Sequence, residues 1–181
     1  AFHFGVLAVN PATGALWMPG YSDRLIVRVD TWAANTPFSV VKNLPIPGSV
    51  PPGTLSLFNA VVIDATFGHV WFVPQNARIL LHLVESNHSM TAFSEWPEEV
   101  AADPSFHGAA MDSNGTIWLA PMLAAAIVSV RVRGADVGRM RAHALPSLQG
   151  QTQQLFDGAV YDPHRNLVWL TPYRSKVIVK V

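Results

Sequence analysis

The feature of this sequence that most constrains its fold is one motif that occurs four times. Each copy opens with a Phe, continues through an apolar run, an Asn or Asp and a turn, and reaches a Trp that a Pro follows two or three residues later. The four Trp residues lie 54, 47 and 51 residues apart, at Trp17, Trp71, Trp118 and Trp169. A repeat of this period predicts stacked supersecondary units and outweighs any local pattern.

Each repeat predicts four short antiparallel strands. In the third repeat, residues 106–112 form the first strand, Asn114-Gly115 a tight turn, and residues 116–120 a return strand that Pro121 ends. Residues 126–132 and 139–144 follow as the third strand and a weaker fourth. The repeats cover approximately residues 4–57, 58–105, 106–155 and 156–181, and the last repeat lacks a fourth strand. Residues 95–102 are expected to contain one helical turn.

The strands become more polar from the first to the fourth of each repeat. The first two are apolar on both faces, which is typical of strands that are buried on both sides. A four-stranded antiparallel sheet with a sandwiched inner strand and a solvated outer strand, repeated radially, is a blade of a β-propeller. We therefore predict an all-β chain that forms a single β-propeller domain or a propeller fragment. About four blades are present, and they could be part of a larger ring.

Composition excludes several classes of function. Half of the residues are hydrophobic and 13% are charged, and 12 basic residues balance 12 acidic ones. No basic stripe could bind a phosphate backbone, so nucleic acid is not an expected partner. The most apolar stretch, residues 117–130, is shorter than the ~20 residues that span a bilayer. Because cysteine is absent, disulfides, thiolate metal sites and cysteine nucleophiles are excluded.

The recurring aromatic and acidic residues are first explained by structure. Large aromatic side chains with apolar neighbours indicate packing between blades, so Trp17, Trp71, Trp118 and Trp169 are predicted to be structural. Asp64, Asp112 and Asp162 are predicted to brace the following turn through bonds from side chain to backbone. His82, His88, His143 and His164 lack the spacing of metal ligands and are expected to face solvent or lie in turns.

The repeat resembles those of NHL, SMP-30/gluconolactonase and virginiamycin B lyase-like propellers. The similarity rests on an apolar strand, an Asp, a turn with Gly, an apolar-Trp-apolar run and a Pro, and it is closest over residues 112–121. The resemblance covers most of the chain and implies the fold. It also implies a site at the central channel, because SMP-30-like lactonases hold a divalent cation there and the lyase-like relatives place His and Glu near magnesium.

The candidate channel residues directly follow the opening Phe of a repeat. Asn59, His107 and Asp157 occupy this position, where the innermost strand begins. Their oxygen atoms suit calcium or magnesium, and an imidazole suits a transition metal or a general base. The alternative is structural, because short polar side chains at strand starts also satisfy backbone groups of loops.

A second candidate surface follows the Pro of three repeats. We call Tyr21, Asn76, Arg78, Tyr173 and Arg174 the rim residues, because they are expected to form a rim on one face of the ring. Tyr and Arg are favoured at binding hot spots, although they are also ordinary loop residues.

Without a recognisable catalytic set, we expect a binding or scaffold module that recognises a protein or small ligand through one face of the ring. The alternative is a divalent-metal-dependent lactonase or lyase with its site at the channel. A protein partner or self-association is expected because an open arc of blades leaves apolar faces to cover. The chain could close as four blades, pair as a half-ring with a second copy, belong to a longer chain, or remain an arc capped by other proteins.

Overall fold

The computed structural model describes residues 5–21, 24–30, 38–42, 44–145 and 154–181. Over these residues the chain is all-β, with four antiparallel sheets and one short helix, as the repeat predicted. We call the sheets blades 1 to 4 in chain order. The chain divides into two compact units, Ala1–Phe93 with blades 1 and 2 (unit 1) and Ser94–Val181 with blades 3 and 4 (unit 2). In the described part of the chain, no helix combines the length and hydrophobicity needed to cross a membrane.

Each blade pairs its strands in sequence order. Blade 1 contains β1 (Ala8–Val9), β2 (Ala15–Pro19), β3 (Leu25–Asp30) and β4 (Phe38–Lys42). Blade 2 contains β5 (Phe58–Asp64), β6 (His69–Pro74), β7 (Leu80–Val84) and β8 (Met90–Phe93). The helix α1 (Glu98–Ala101) precedes blade 3, which contains β9 (Phe106–Met111), β10 (Thr116–Pro121), β11 (Ala126–Arg131) and β12 (Met140–Ala144). Blade 4 contains β13 (Phe156–Asp162), β14 (Leu167–Pro172) and β15 (Val179–Lys180).

The predicted strands are confirmed with small shifts at their ends. In each blade the second strand ends at the Pro of its repeat. The helical turn lies inside residues 95–102. The third strand of blade 4 is shorter than the predicted residues 176–181, and in the described part of blade 4 no fourth strand pairs with it. Phe4, which opens the first repeat, lies outside the described residues.

The hairpin that follows each first strand is built in the same way in all four blades. Its turn contains one residue with φ between 49° and 72°, namely Gly14, Gly68, Gly115 or Asn166. Gly and Asn adopt this left-handed conformation at low cost. In each blade the side chain of the Asn or Asp before the turn accepts a hydrogen bond, at 2.9–3.2 Å, from the backbone N–H two residues later. These acceptors are Asn10, Asp64, Asp112 and Asp162. The predicted bracing of this turn is therefore confirmed.

The core of unit 1 lies between its two sheets. Trp17 and Ile26 of blade 1 are fully buried in one cluster with Phe72 and Leu81 of blade 2. The carboxylate of Glu85, at the end of β7, crosses between the blades. It accepts hydrogen bonds from Trp17 Nε1 at 3.1 Å, Asn10 Nδ2 at 2.6 Å and Thr13 Oγ1 at 3.3 Å. A buried carboxylate needs such donors, so it fixes how the blades meet.

Unit 2 has the same arrangement, and its two inner strands approach each other closely. Ala110 and Ile127 of blade 3 share a buried cluster with Val168 and Leu170 of blade 4. A Cβ atom on Gly108 of β9 would lie 2.4 Å from the Cα of Gly158 on β13. No side chain fits at that distance, so the two inner strands approach this closely only because a glycine occupies the position.

One histidine of unit 1 is buried, which corrects the expectation that His82 faces solvent or lies in a turn. His82 is 8% exposed, and its ring stacks on Trp71 at 4.3 Å and meets His69 edge-on at 4.6 Å. Among the described residues, His82 Nε2 has no hydrogen-bond partner. Burial, with the neighbouring His69, lowers the pKa of His82 from 6.5 to about 4.

This lowered pKa predicts acid sensitivity. His82 is harder to protonate in the folded chain than in the unfolded one. The contribution of neutral His82 to the free energy of unfolding is therefore complete above pH 6.5 and is lost as the pH falls towards 4. We expect the free energy of unfolding to fall by on the order of 2 kcal/mol over this range, more than in His82→Phe, which cannot titrate. Urea unfolding at pH 7 and pH 4.5 measures both. Equal pH dependence in the two proteins would contradict the prediction.

Candidate functional site

The three candidate channel residues occupy equivalent bulges. In blade 2 the register of the pairing with the return strand shifts between Phe58 and Ala60, so Asn59 lies in a bulge. The same shift places His107 in a bulge of blade 3 and Asp157 in a bulge of blade 4. A bulge re-aims the side chain of its unpaired residue and is frequent beside functional sites. The sequence predicted these positions but not the bulges.

A signal for the bulges was present in the sequence. The opening Phe of each of these blades pairs with the Pro that ends the second strand, as in Phe58 with Pro74 and Phe106 with Pro121. Proline has no N–H to donate, so the regular ladder is interrupted beside it. A strand that begins opposite a Pro is therefore a place where a bulge should be expected.

The structure brings two of the three residues together. In unit 2, His107 Nδ1 lies 2.8 Å from Asp157 Oδ1 and 3.0 Å from the Asp157 carbonyl oxygen. Gln154 Nε2 also donates to Asp157 Oδ1, at 3.4 Å. Because Nδ1 faces two acceptor oxygens, we infer that a neutral His107 ring carries its proton on Nδ1 and its lone pair on Nε2. The side chains are 26% and 54% exposed, so the pair is accessible to solvent.

Backbone packing explains the pair. His107 precedes Gly108, and Asp157 precedes Gly158, the two residues at which β9 and β13 nearly touch. The bulges turn both side chains out of the regular ladder at the point where the strands are closest. Asn59 occupies the equivalent position in unit 1, where it is half-buried.

The described side chains do not complete a conventional metal site. No three His, Asp or Glu side chains in the described ranges are grouped so that they could share an ion. His107 and Asp157 supply two donors, whereas calcium takes six to eight oxygen ligands. The residues of unit 2 therefore do not fit a calcium or magnesium centre by themselves, and the cation at the channel stays a prediction.

The rim residues lie at the same end of their blades as the bulges. The loop after the second strand folds back onto the residue before the opening Phe: Asn76 N donates to the Leu57 carbonyl oxygen and Tyr173 N to that of Leu155. Arg78 is exposed in unit 1. In unit 2, the Arg174 guanidinium lies 5.7 Å from the ring of Tyr173, which is 56% exposed. Tyr21, in unit 1, is 38% exposed.

The four indoles are not equally buried. Trp17 and Trp71 are 0% exposed. Trp118 is half-buried against the unit 2 cluster, and its Nε1 donates to Asp112 Oδ2 at 3.1 Å. Trp169 is also half-buried. The structural role assigned to all four stays a prediction.

Sequence reasoning missed one polar pair in blade 3. Ser129 Oγ on β11 lies 2.8 Å from His143 Nε2 on β12, and the His143 ring lies 5.0 Å from Trp118. Burial, with Arg141 nearby, lowers the pKa of His143 below its usual value of 6.5. The period-2 pattern of the two strands could have indicated this contact, because Ser129 and His143 both lie on the Trp118 side. It has the geometry of a stabilising hydrogen bond on the blade surface.

Comparisons with known proteins support the fold. Virginiamycin B lyase from Staphylococcus aureus is 17% identical, with a TM-score of 0.72 over 98% of this chain and 52% of the lyase. A catalytically inactive His-to-Ala variant of that lyase with quinupristin is 16% identical, with a TM-score of 0.69 over 99% of this chain and 55% of the variant. A chain of a nidogen/laminin complex is 10% identical, with a TM-score of 0.69 over 98% of this chain and 60% of that one. No protein-family model and no curated protein sequence matches.

The class that the fold defines is the β-propeller. Lyase and nidogen/laminin structures share it with this chain at identities that speak for fold alone. The predicted likeness to virginiamycin B lyase-like propellers is confirmed at the level of structure, whereas an SMP-30-like character stays a prediction. The chain spans about half the length of the lyase structures that it matches.

Proposed function

We propose that this chain is a propeller binding module that recognises a small polar ligand at the end of unit 2 where β9 and β13 begin. The observation that carries the proposal is the contact between His107 and Asp157, two bulge residues of neighbouring blades held 2.8 Å apart. Both residues lie at register shifts of the strand ladder, where a bulge re-aims a side chain. Their exposure leaves them available to a ligand.

The surrounding groups define the ligand's chemistry. His107 Nε2 is the acceptor of the neutral ring and suits a hydroxyl or amide N–H of the ligand. At the same end of blade 4, the Arg174 cation suits an acidic or carbonyl group, and Tyr173 offers an exposed ring. We therefore expect a ligand that carries both a hydrogen-bond donor and an acidic or carbonyl group.

A protein partner or self-association is the second part of this proposal. The nidogen/laminin structure is a complex between proteins, which supports propellers as interaction modules. Only 13% of the residues are charged. Several large apolar side chains are exposed on blades 1 and 4, including Leu7, Val160 and Ile178. Such surfaces are typical of interaction sites.

A second candidate function is lyase chemistry. This chain resembles virginiamycin B lyase in structure, and a His-to-Ala variant of that lyase is inactive. Both observations favour a catalytic histidine in this chain. His107 is suited to remove a proton through Nε2, because Asp157 holds the Nδ1–H and stabilises the imidazolium that forms. Divalent-metal assistance, for a lyase or a lactonase, belongs to this alternative only as a prediction.

Ligand-detected NMR with a library of polar small molecules tests the primary proposal. We expect ligands of the wild-type protein to bind His107→Ala and Asp157→Ala at least about tenfold more weakly, since each change removes the contact between the two side chains that forms the site. Asp136→Ala is the matched control, because Asp136 is an exposed acid elsewhere in unit 2, 60% accessible. Ligands that bind both site variants as well as wild type would contradict the proposal.

Quinupristin separates the two candidates. Mass spectrometry of quinupristin incubated with the protein would show a reaction product if the lyase candidate holds, and the product would disappear with His107→Ala. Binding of library ligands without turnover supports the binding module alone. Turnover that persists in His107→Ala would contradict the assigned base.

A further inference from the structure

The blades inside each unit meet in one fixed way. We call the face of each sheet that carries the Trp the Trp face, and the other the back face. In unit 1, Trp17 and Ile26 on the Trp face of blade 1 pack against Phe72 and Leu81 on the back face of blade 2. In unit 2, Ala110 and Ile127 on the Trp face of blade 3 pack against Val168 and Leu170 on the back face of blade 4. The same interface therefore forms twice.

The Trp face of blade 4 has the chemistry of that interface but is open. By strand register, Val160 and Ile178 are the equivalents of Ala110 and Ile127. Ala110 and Ile127 are 9% and 1% exposed, whereas Val160 and Ile178 are 55% and 69% exposed. Lys180, which pairs with Trp169, corresponds to Arg28 of blade 1. A cation is compatible with an interface there, because Arg28 lies 5.7 Å from the buried ring of Trp17.

The back face of blade 1 is open in the complementary sense. Leu7 and Val9 are the equivalents of Val61 and Ile63, which pack against blade 1 inside unit 1. Leu7 and Val9 are 58% and 52% exposed. One chain thus carries both halves of an interface that it also forms internally, one half on blade 4 and the other on blade 1.

We propose that the Trp face of blade 4 binds the back face of blade 1 of a second copy of this chain. The inference deepens the self-association part of the proposed function and does not depend on the ligand site. The contact is heterologous, because different patches of the two copies meet. Its geometry continues the interface seen between blades 1 and 2 and between blades 3 and 4.

Sedimentation velocity of two variants and their mixture tests this. Ile178→Asp disables the Trp face of blade 4, and Leu7→Asp disables the back face of blade 1. We expect the wild-type chain to sediment as a dimer or larger species at micromolar concentration, and each variant to associate about 30-fold more weakly, the effect of a central interface residue. An equimolar mixture of the variants should regain dimer, because it contains one undamaged pair of faces.

Controls and outcomes are distinct. Leu123→Asp is matched in chemistry and lies in a loop of unit 2, 45% exposed, so it should associate as wild type does. Circular dichroism establishes that each variant is folded, and recovery in the mixture shows the same independently. Three results would each overturn the inference. The wild-type chain could be monomeric at about 100 μM, where interfaces of ordinary affinity are saturated. The single variants could associate as wild type does, or their mixture could stay monomeric. Library ligands that still bind monomeric Ile178→Asp show that the ligand site stands whether or not the docking proposal does.

Discussion

Replacing Trp17 with alanine is expected to lower the free energy of unfolding by about 3–5 kcal/mol. The side chain is 0% exposed, and its ring fills the space between blades 1 and 2. The change removes this packing and also removes the indole N–H that donates to Glu85 Oε1 at 3.1 Å. Glu85 is 7% exposed, so its carboxylate would lose one of its donors in a buried place. Chemical denaturation monitored by circular dichroism measures the effect.

Trp169→Ala is the matched control. Trp169 is the equivalent residue of blade 4, but it is only half-buried, on a face that no blade of unit 2 covers. We expect its loss to cost under half as much as that of Trp17, when both are measured at a concentration where the protein is monomeric. Equal losses would show that burial between blades is not what gives Trp17 its effect.

Gly108→Ala should be the second strongest change, lowering the free energy of unfolding by about 3 kcal/mol. The new Cβ would lie 2.4 Å from Gly158 Cα and 2.8 Å from Ala159 N, both backbone atoms that no rotamer change can move. The inner strands β9 and β13 must therefore separate. His107 and Asp157 flank this contact, so the same change should abolish ligand binding at the proposed site.

Gly158→Ala distinguishes this steric effect from a general intolerance of alanine. A Cβ at Gly158 would meet Thr171 Oγ1 at 2.9 Å, a side-chain atom that can rotate away. We expect a loss of about 1 kcal/mol or less and ligand binding close to that of wild type. If Gly108→Ala is as mild as Gly158→Ala, the close approach of the two strands does not exist in solution.

Much of the fold could be predicted from the sequence because it is encoded locally. The Phe, Asp, Gly, Trp and Pro of each repeat lie within one hairpin, so strand ends, turn conformation and the bracing by Asp112 follow from chemistry over a few residues. The repeat then extends the conclusion to all four blades. The order of strands in each sheet follows for the same reason, since each strand pairs with its neighbour in the chain.

The candidate site was predictable in position but not in geometry. Its contact joins His107 and Asp157, which are 50 residues apart, and it depends on two bulges and on a glycine that permits a close approach of two backbones. The Pro opposite each opening Phe could have indicated the bulges, but the approach of β9 to β13 is not a local property. Glu85 was missed for the same reason, because its partners Asn10 and Trp17 belong to another blade and lie 75 and 68 residues away.

The nitrogen-15 chemical shifts of the His107 imidazole test the central claim most directly, that neighbouring bulges hold His107 and Asp157 as a pair. At pH 8, where an ordinary histidine is neutral, we predict a protonated Nδ1 and an unprotonated Nε2, because Nδ1 faces two oxygens of Asp157. Asp157→Ala should shift the ring towards a mixture of tautomers. A His107 ring protonated mainly on Nε2, or one that does not respond to Asp157→Ala, would contradict the claim.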